Sequence, residues 1–399
     1  MLSEHLVTML PTLVSKHRDP FCAYIYDLKG LHRHVKQLVS KLPINCELFY
    51  AVKANPELPI LRELAPLVHG FEVASGGEIQ HVRANFPETP IIFGGPGKLD
   101  EELNLALSAG VETIHVESVY ELERIACIAR QSGRIVDILL RINLSSLPDG
   151  MTSPIAMGGK ATQFGIDSLM VAYAVEQALC LPSVRLRGFH FHLLSQQKSA
   201  SMHLKLIDRL LSLFREWTLE FGLQGPCILN AGGGFGIEYS PPHHHFDWNK
   251  FCIGLDELIH QHDAMHHKIR FEAGRYITAA CGYYVTEVLD IKKNFGKTFV
   301  VCRGGTQHFR TPLAQGHSHP FSVIDIHDWK KPYQRLKASN CDITITGQLC
   351  TPKDVLARDA HIQSIKTGDL VAFPYAGAYA WHISPHDFLK HPPPEQIYI

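Results

Sequence analysis

The sequence predicts an α/β chain, a closed (β/α)8 barrel with a second, β-rich domain. Three observations carry this. Eight short β-branched or aromatic runs recur through the first two thirds, each followed by a stretch with helical periodicity. The first five begin at residues 47, 69, 90, 112 and 137, a spacing that suits one strand plus one helix each. After Arg275 the helical rhythm stops, and strand-like runs follow one another with Gly and Pro between them. A count of eight favours closure over the alternative, a doubly wound open sheet.

In order, the runs are Glu47–Val52, His69–Val73, Pro90–Gly94, Glu112–Val116, Asp137–Ile142, Arg187–His192, Cys227–Asn230 and Lys268–Glu272. The wider gaps between the later ones leave room for longer loops or extra helices. The helical pattern is clearest over 201–221, where Leu204, Ile207, Leu210, Leu211 and Phe214 fall on one face. Glu101–Ser108 and Val119–Ala129 are shorter versions. The later β runs are Tyr283–Ile291, Thr298–Cys302, Asp342–Thr346 and Leu370–Phe373. Cys22–Tyr26, ahead of the first barrel unit, offers a further strand. The expected boundaries are a barrel over 28–272 and a β domain built from 1–27 and 273–399.

Composition narrows the function classes. Among 399 residues, 38 Lys+Arg nearly balance 39 Asp+Glu, and 45% are hydrophobic, which argues against a disordered chain and against a basic nucleic-acid surface. The charge-free stretches 221–237 and 370–386 are broken by Gly or Pro and do not read as membrane spans. Glu4 and Pro11 make a poor signal peptide. A cytoplasmic protein with neither nucleic-acid nor membrane partners is expected. The cysteines contain no C-x-x-C pair and read as reduced core thiols. His243–His245 and His266–His267 tempt a metal reading but lack carboxylate or thiolate ligands in spacing, so no metal is expected.

In such a barrel the chemistry sits at the C-terminal ends of the strands. The first run ends at Lys53, where an apolar strand would carry the lysine into the barrel mouth. Desolvation there lowers an amine pKa, as a Schiff-base lysine requires; the alternative is a lysine that snorkels to water. The sixth run ends at His190 and His192, which alternation puts on one side, with Ser195 beyond; a satisfied core histidine is the alternative. After the seventh run, Asn230-Ala-Gly-Gly-Gly-Phe-Gly236 lets backbone N–H groups converge on an anion, or is a flexible turn. The eighth run ends in Glu272-Ala-Gly-Arg275, an acid at the mouth with an arginine beside the glycines. A lysine, a stacking aromatic, a phosphate cradle and a carboxylate together are what pyridoxal 5'-phosphate (PLP) needs.

The motifs FYAVKAN (Phe49–Asn55), GFEVASGGE (Gly70–Glu78), GFHFHLLS (Gly188–Ser195), NAGGGFG (Asn230–Gly236), EAGRY (Glu272–Tyr276), GQLC (Gly347–Cys350) and AGAY (Ala376–Tyr379) resemble those of the barrel-type PLP decarboxylases. That family includes the ornithine, arginine and diaminopimelate decarboxylases, and the resemblance runs from about residue 22 onward. It implies a role for each residue. Lys53 would hold the cofactor, and His192 would stack on its ring. Ser195, Gly232, Gly233, Gly234, Arg275 and Tyr379 would bind its phosphate. Glu272 would keep the pyridine nitrogen protonated, with Glu72 and Arg141 as a supporting pair. Cys350 would be the acid that protonates the carbon left by CO2, working in the partner's site of a two-fold homodimer. A thiol suits that step because its pKa shifts readily.

Departures from the family pattern bear on substrate. Members acting on ornithine or diaminopimelate usually carry an acid directly after the cysteine, where it meets a distal amine. Here Thr351 stands there. Leu194 replaces a usual glycine, and Ala273 a common proline. The stretch Arg303–Arg310, which contains His308, is cationic and hydrogen-bonding, and His317 and His319 follow it. Arg310 matches a family position that meets a distal carboxylate. An amino acid with an anionic tail is therefore expected, and citryl-diaminopropionate, a siderophore precursor that would give citryl-ethylenediamine, fits. The alternatives are a diaminopimelate, ornithine or arginine decarboxylase, a racemase on the same barrel, and a non-catalytic regulatory relative.

Overall fold

The computed structural model describes residues 4–15, 20–147, 158–240, 245–327, 329 and 331–399. It divides into two compact units. One comprises His32–Glu238 with His244–Ile277, the other Met1–Leu31, Tyr239–His243 and Thr278–Ile399.

Strand β1 (Cys22–Tyr26) opens the second of these and is described with it. The barrel unit is built on β2 (Cys46–Ala51), β3 (Gly70–Val73), β4 (Ile91–Phe93), β5 (Thr113–Val116), β6 (Val136–Asn143), a short β7 (Ile166–Asp167), β8 (Val184–His190), β9 (Ile228–Asn230) and β10 (Lys268–Ala273). Parallel pairing runs β2-β3-β4-β5-β6-β8-β9-β10, and β10 returns to β2, which closes the ring; β7 adds only to β6. Closure explains why the eight runs are legible: strands covered on both faces become nearly continuous apolar stretches. Residues 70–73, 91–93 and 113–116 are buried without exception. Helices between the strands start on side-chain caps. Ser75 Oγ accepts the Glu78 N–H (3.2 Å), Ser118 Oγ that of Glu121 (3.0 Å), and Asp247 Oδ1 that of Lys250 (2.9 Å).

Two boundaries differ from the expectation in ways that matter. Lys53 does not close β2; it lies in the 3-10 turn Val52–Ala54 that follows. Tyr50 Oη braces that turn by donating to the Asn55 carbonyl (3.0 Å). Likewise β8 stops at His190, so His192 stands in the loop beyond it.

The β unit carries β1, β11 (Gly282–Asn294), β12 (Lys297–Cys302), β13 (Ser322–Ile324), β14 (Lys337–Thr346), β15 (Val355–Lys366), β16 (Leu370–Phe373) and β17 (Glu395–Tyr398) in one mixed sheet. The long β11 organises it. Its first half lies between β1 and β16, and past an irregularity at Val288/Asp290 its second half pairs with β12. β1 also pairs in parallel with β17. The core here gathers Leu10, Phe21, Ala23, Ile25, Tyr283, Val285, Ile324, Leu370 and Ala372. Leu10 comes from the helix Glu4–Val14, which the periodicity reading does not contain. No helix among the described residues is long and apolar enough to cross a membrane.

Candidate active site

Within the barrel unit the strand ends bring six chemically active side chains together. Lys53 Nζ donates to both carboxylate oxygens of Glu72 (2.8 and 2.7 Å). Glu72 is buried on β3, whereas Lys53 keeps 39% of its side chain exposed, so the amine can be reached while its charge is balanced. Glu272, on β10, is enclosed by three imidazoles and an amide. His190 Nε2 lies 3.4 Å and His115 Nδ1 3.6 Å from its Oε1, and His192 Nδ1 lies 3.4 Å from its Oε2. Asn230 Nδ2 donates to Oε1 at 2.8 Å. Burial alone would push the Glu272 carboxyl up, but the charge and close approach of His190, then the contact of His192 and the charge of His115, outweigh it. The net direction is well below the usual carboxylate range. Glu272 is thus an ionised acid at the floor of the mouth. Burial pulls His192 down despite the opposing carboxylate, which favours a neutral ring.

The glycine loop packs directly behind this cluster. Gly232 holds φ +68°, and a Cβ there would lie 2.5 Å from the Phe191 carbonyl oxygen. At Gly233 a Cβ would come within 2.0 Å of the Glu272 carbonyl oxygen. No other residue fits either place. The glycines therefore have a steric reason as well as a backbone one, and the "flexible turn" alternative does not describe them. Asn230 Oδ1 accepts the Gly232 N–H (2.9 Å), and Gly233 N–H donates to His192 Nδ1 (3.3 Å). Ser195 and Arg275 lie half-buried, the first just after Leu194, whose carbonyl abuts Gly234, the second opening the short helix Arg275–Thr278.

The two expected supporting residues have separate partners: Glu72 takes Lys53, and Arg141 Nη1 donates to Glu117 Oε1 (2.6 Å) with its guanidinium 4.6 Å from the Phe164 ring. Glu117 also accepts the backbone N–H groups of Gly95 (3.2 Å) and Gly165 (2.8 Å), so it tethers two loops as well as the arginine. Neither Glu117 nor His115 was singled out from sequence. The available signal was their place at the end of the run Glu112–Val116.

The remaining expected residues belong to the β unit. Cys350 is exposed in the loop between β14 and β15, and Thr351 follows it half-buried. Arg310 is exposed at the start of the helix Thr311–Gln315, its N–H donating to Ser384 Oγ (3.0 Å). Tyr379 sits at φ +50°, a strained position for a tyrosine, and its carbonyl accepts Thr311 Oγ1 (2.5 Å). His308, expected from sequence as a substrate contact, is buried, with Nδ1 3.3 Å from Tyr284 Oη and 3.6 Å from Cys22 Sγ, among core residues of the β unit. His317 Nε2 and His319 Nδ1 lie 2.9 Å apart, and His319 Nε2 donates to the Pro374 carbonyl (2.7 Å).

Metal-like groupings also shift. His243 and His244 lie outside the described residues, and His267 is occupied by the Cys227 N–H (3.0 Å). The one trio with ligand spacing among the described residues is His115, His190 and Glu272, which is part of the cluster above.

The donor set suits PLP: an accessible amine, an ionised carboxylate on the floor, a neutral imidazole, and a glycine loop with no room for side chains. The comparisons agree. Residues 28–279 match the model of the family described as "Pyridoxal-dependent decarboxylase, pyridoxal binding domain". The chain is a pyridoxal-dependent decarboxylase. Its relatives include the 2-[(L-alanin-3-ylcarbamoyl)methyl]-2-hydroxybutanedioate decarboxylase of Staphylococcus aureus, 45% identical over 95% of this chain and 94% of the relative. Another is the L-glutamyl-[BtrI acyl-carrier protein] decarboxylase of Niallia circulans, 32% identical over 97% and 90%. Among solved structures, the diaminopimelate decarboxylase of Helicobacter pylori complexed with L-lysine superposes with a TM-score of 0.84 at 26% identity, covering 98% of this chain and 94% of that one. The decarboxylase acts on a small amino-acid substrate, with PLP as its cofactor.

Proposed function

We propose that this decarboxylase removes the α-carboxylate of an amino acid with a carboxylate-bearing tail, most specifically citryl-L-2,3-diaminopropionate, giving citryl-ethylenediamine for a siderophore of the staphyloferrin B type. The observation that carries this is Thr351. An acid after Cys350 would suit a distal ammonium; a threonine offers only a hydroxyl, and the Arg303–Arg310 segment supplies a cation, Arg310, for an anionic tail. The Staphylococcus relative supports it, because its substrate name describes an α-amino acid joined through an amide to a hydroxylated dicarboxylate. Diaminopimelate is the second reading, favoured by the several diaminopimelate decarboxylases at about 30% identity and by Arg310, which would serve its distal carboxylate equally well.

Bound PLP supplies an electron-accepting ring that takes up the pair left when CO2 departs. The chain does the rest. Lys53 provides the amine that holds the cofactor and yields to the substrate's amine. Glu72 keeps that amine positioned and can accept its proton. Glu272, held ionised, keeps a proton on the pyridine nitrogen. His192 covers the ring face, and the N–H groups of Gly232–Gly234 with Ser195, Arg275 and Tyr379 take the phosphate. Arg141, held by Glu117, supports the rim. Cys350 Sγ–H delivers the final proton to the substrate carbon. We further propose a cytoplasmic, two-fold homodimer in which each Cys350 serves the partner's barrel.

A mass-spectrometric product assay tests the substrate. PLP-loaded protein receives citryl-diaminopropionate, meso-diaminopimelate and L-ornithine separately. Loss of CO2 from the citryl compound alone is expected, and turnover of diaminopimelate or ornithine in its place would overturn the assignment.

A further inference from the structure

Between β14 and β15 one buried carboxylate has a connection that the chemistry above does not use. Asp354 lies four residues after Cys350 and is only 2% exposed. Its Oδ1 accepts both the N–H of Thr306 (2.7 Å) and the Thr306 hydroxyl (2.9 Å), and its Oδ2 accepts the N–H of Leu349 (2.8 Å). Leu349 immediately precedes Cys350. Thr306 belongs to the Arg303–Arg310 segment. The carboxylate therefore joins the cysteine loop to the segment that carries Arg310.

The surrounding backbone is shaped to admit it. A Cβ on Gly305, which holds φ +138°, or on Gly347 would lie 2.5 Å from an Asp354 carboxylate oxygen. Two glycines are therefore spent on making room for this one side chain. A second tie runs alongside: Gln348 Oε1 accepts the Gly304 N–H (2.8 Å), and the Gln348 N–H donates to the Gly304 carbonyl (2.6 Å). On the other side, Gly305 O accepts the N–H groups of His308 and Phe309, so the turn leading to Arg310 starts from the same point. A buried carboxylate is costly unless its lone pairs are met, and here three donors meet them.

We propose that Asp354 is a positioning residue for Cys350, holding the thiol at the angle from which it protonates the substrate carbon, in register with Arg310. This rests on the reading of Cys350 as the proton donor. In that step the Sγ–H bond breaks and a C–H bond forms at the carbon that lost CO2; the thiolate then regains a proton from water. If the thiol is displaced, a proton reaches the cofactor's carbonyl-derived carbon in its place. Hydrolysis then leaves the amine form of the cofactor and an aldehyde derived from the substrate.

The test uses Asp354→Asn in the PLP-loaded enzyme, because asparagine keeps the shape but turns an N–H toward a donor. Two quantities are read: the fraction of turnovers that end in aldehyde, and the rate at which iodoacetamide alkylates Cys350, with exposed Cys180 as internal reference. Loss of a charge-assisted bond next to the loop predicts roughly a tenfold rise in both. Thr306→Val removes one of the three donors and should give a smaller rise in the same direction. It decides the matter if the first variant fails to fold. Unchanged aldehyde fraction and unchanged Cys350 alkylation in a folded variant would overturn the proposal. Cys350→Ala is the control for the underlying reading. If it produces no aldehyde, Cys350 is not the donor, and the alkylation rate alone then judges whether Asp354 holds the loop.

Discussion

His203 is a histidine that the fold uses as an apolar ring, and replacing it by phenylalanine should make the protein more stable in acid. It sits in the helix Ala200–Glu220, stacked on Phe235 of the glycine loop at 4.6 Å with 8° between the planes and edge-on to Phe246 and Phe251. It is fully buried, and neither ring nitrogen has a hydrogen-bond partner among the described residues. A neutral imidazole must carry one N–H, and leaving it unmet costs about 1–3 kcal/mol. Burial also pulls the ring's pKa down from 6.5 to about 3. The sign follows from proton uptake. Below pH 6.5 the unfolded chain binds a proton at this residue that the folded chain refuses until about pH 3, so folded-state stability is lost as pH falls through that window. At pH 5 the loss from this residue is about 2 kcal/mol relative to pH 7.5. His203→Phe keeps the ring and removes the titration. At pH 7.5 the relief of the orphan N–H is offset in part by the larger ring's crowding. The informative quantity is therefore the change with pH. Calorimetric melting of the holoenzyme should show the variant's advantage in Tm grow by about 4–8 °C between pH 7.5 and pH 5. An advantage that stays constant across that range would refute the reasoning, because it would mean that His203 takes up a proton while folded.

Lys53→Ala should abolish turnover together with the borohydride-reducible cofactor adduct, and an adduct that persists by mass spectrometry would place the attachment elsewhere. Arg310→Ala should raise KM for the citryl substrate by about tenfold or more, as expected for a charge-assisted contact, with kcat less affected; an unchanged KM removes it from substrate binding. Mixing inactive Lys53→Ala and Cys350→Ala subunits should restore up to about a quarter of wild-type activity, because a random mixed dimer carries one intact shared site. No recovery after demonstrated subunit exchange would count against shared sites. Glu117→Gln should weaken its hold on Arg141 and lower PLP affinity while leaving the melting temperature of the β unit unchanged, a contrast that titration of cofactor absorbance and calorimetry read separately.

The barrel was legible because its strands are covered on both faces, which turns burial into uninterrupted apolar runs. The β unit was only partly so. β15 escaped because the ladder it forms with β14 is irregular: Asp359 and Asn340 both hold left-handed φ (47° and 48°), and the register shifts near Ile345. A strand with such breaks loses the period-2 pattern by which it would be recognised. At the site, Lys53, His192, the glycines and Glu272 stood out because unusual residue types close apolar runs. Glu117 did not, because a polar residue one step past a strand looks like the start of any loop; only the fold shows that it takes Arg141. The separate partners of Glu72 and Arg141 were hidden for a related reason. Sequence order says which residues reach the mouth, not which of several carboxylates each cation meets there.

The pairing of β1 with both β11 and β17 bears on the order of events on the ribosome. Cys22–Tyr26 emerges early as an apolar segment with two open edges, yet its parallel neighbour Glu395–Tyr398 arrives some 370 residues later. At about 5–20 residues per second that is a wait of roughly 20–75 s. The barrel faces its own delay, since β2 cannot close on β10 until Lys268–Ala273 has left the tunnel. For most of translation the nascent chain therefore displays a sticky strand beside an open sheet, the situation in which wrong-edge pairing competes. Holdase chaperones should matter more to the yield of this enzyme than to that of a chain whose sheets close locally. A nonsense lesion just before Glu395 would leave β1 with a permanently exposed edge.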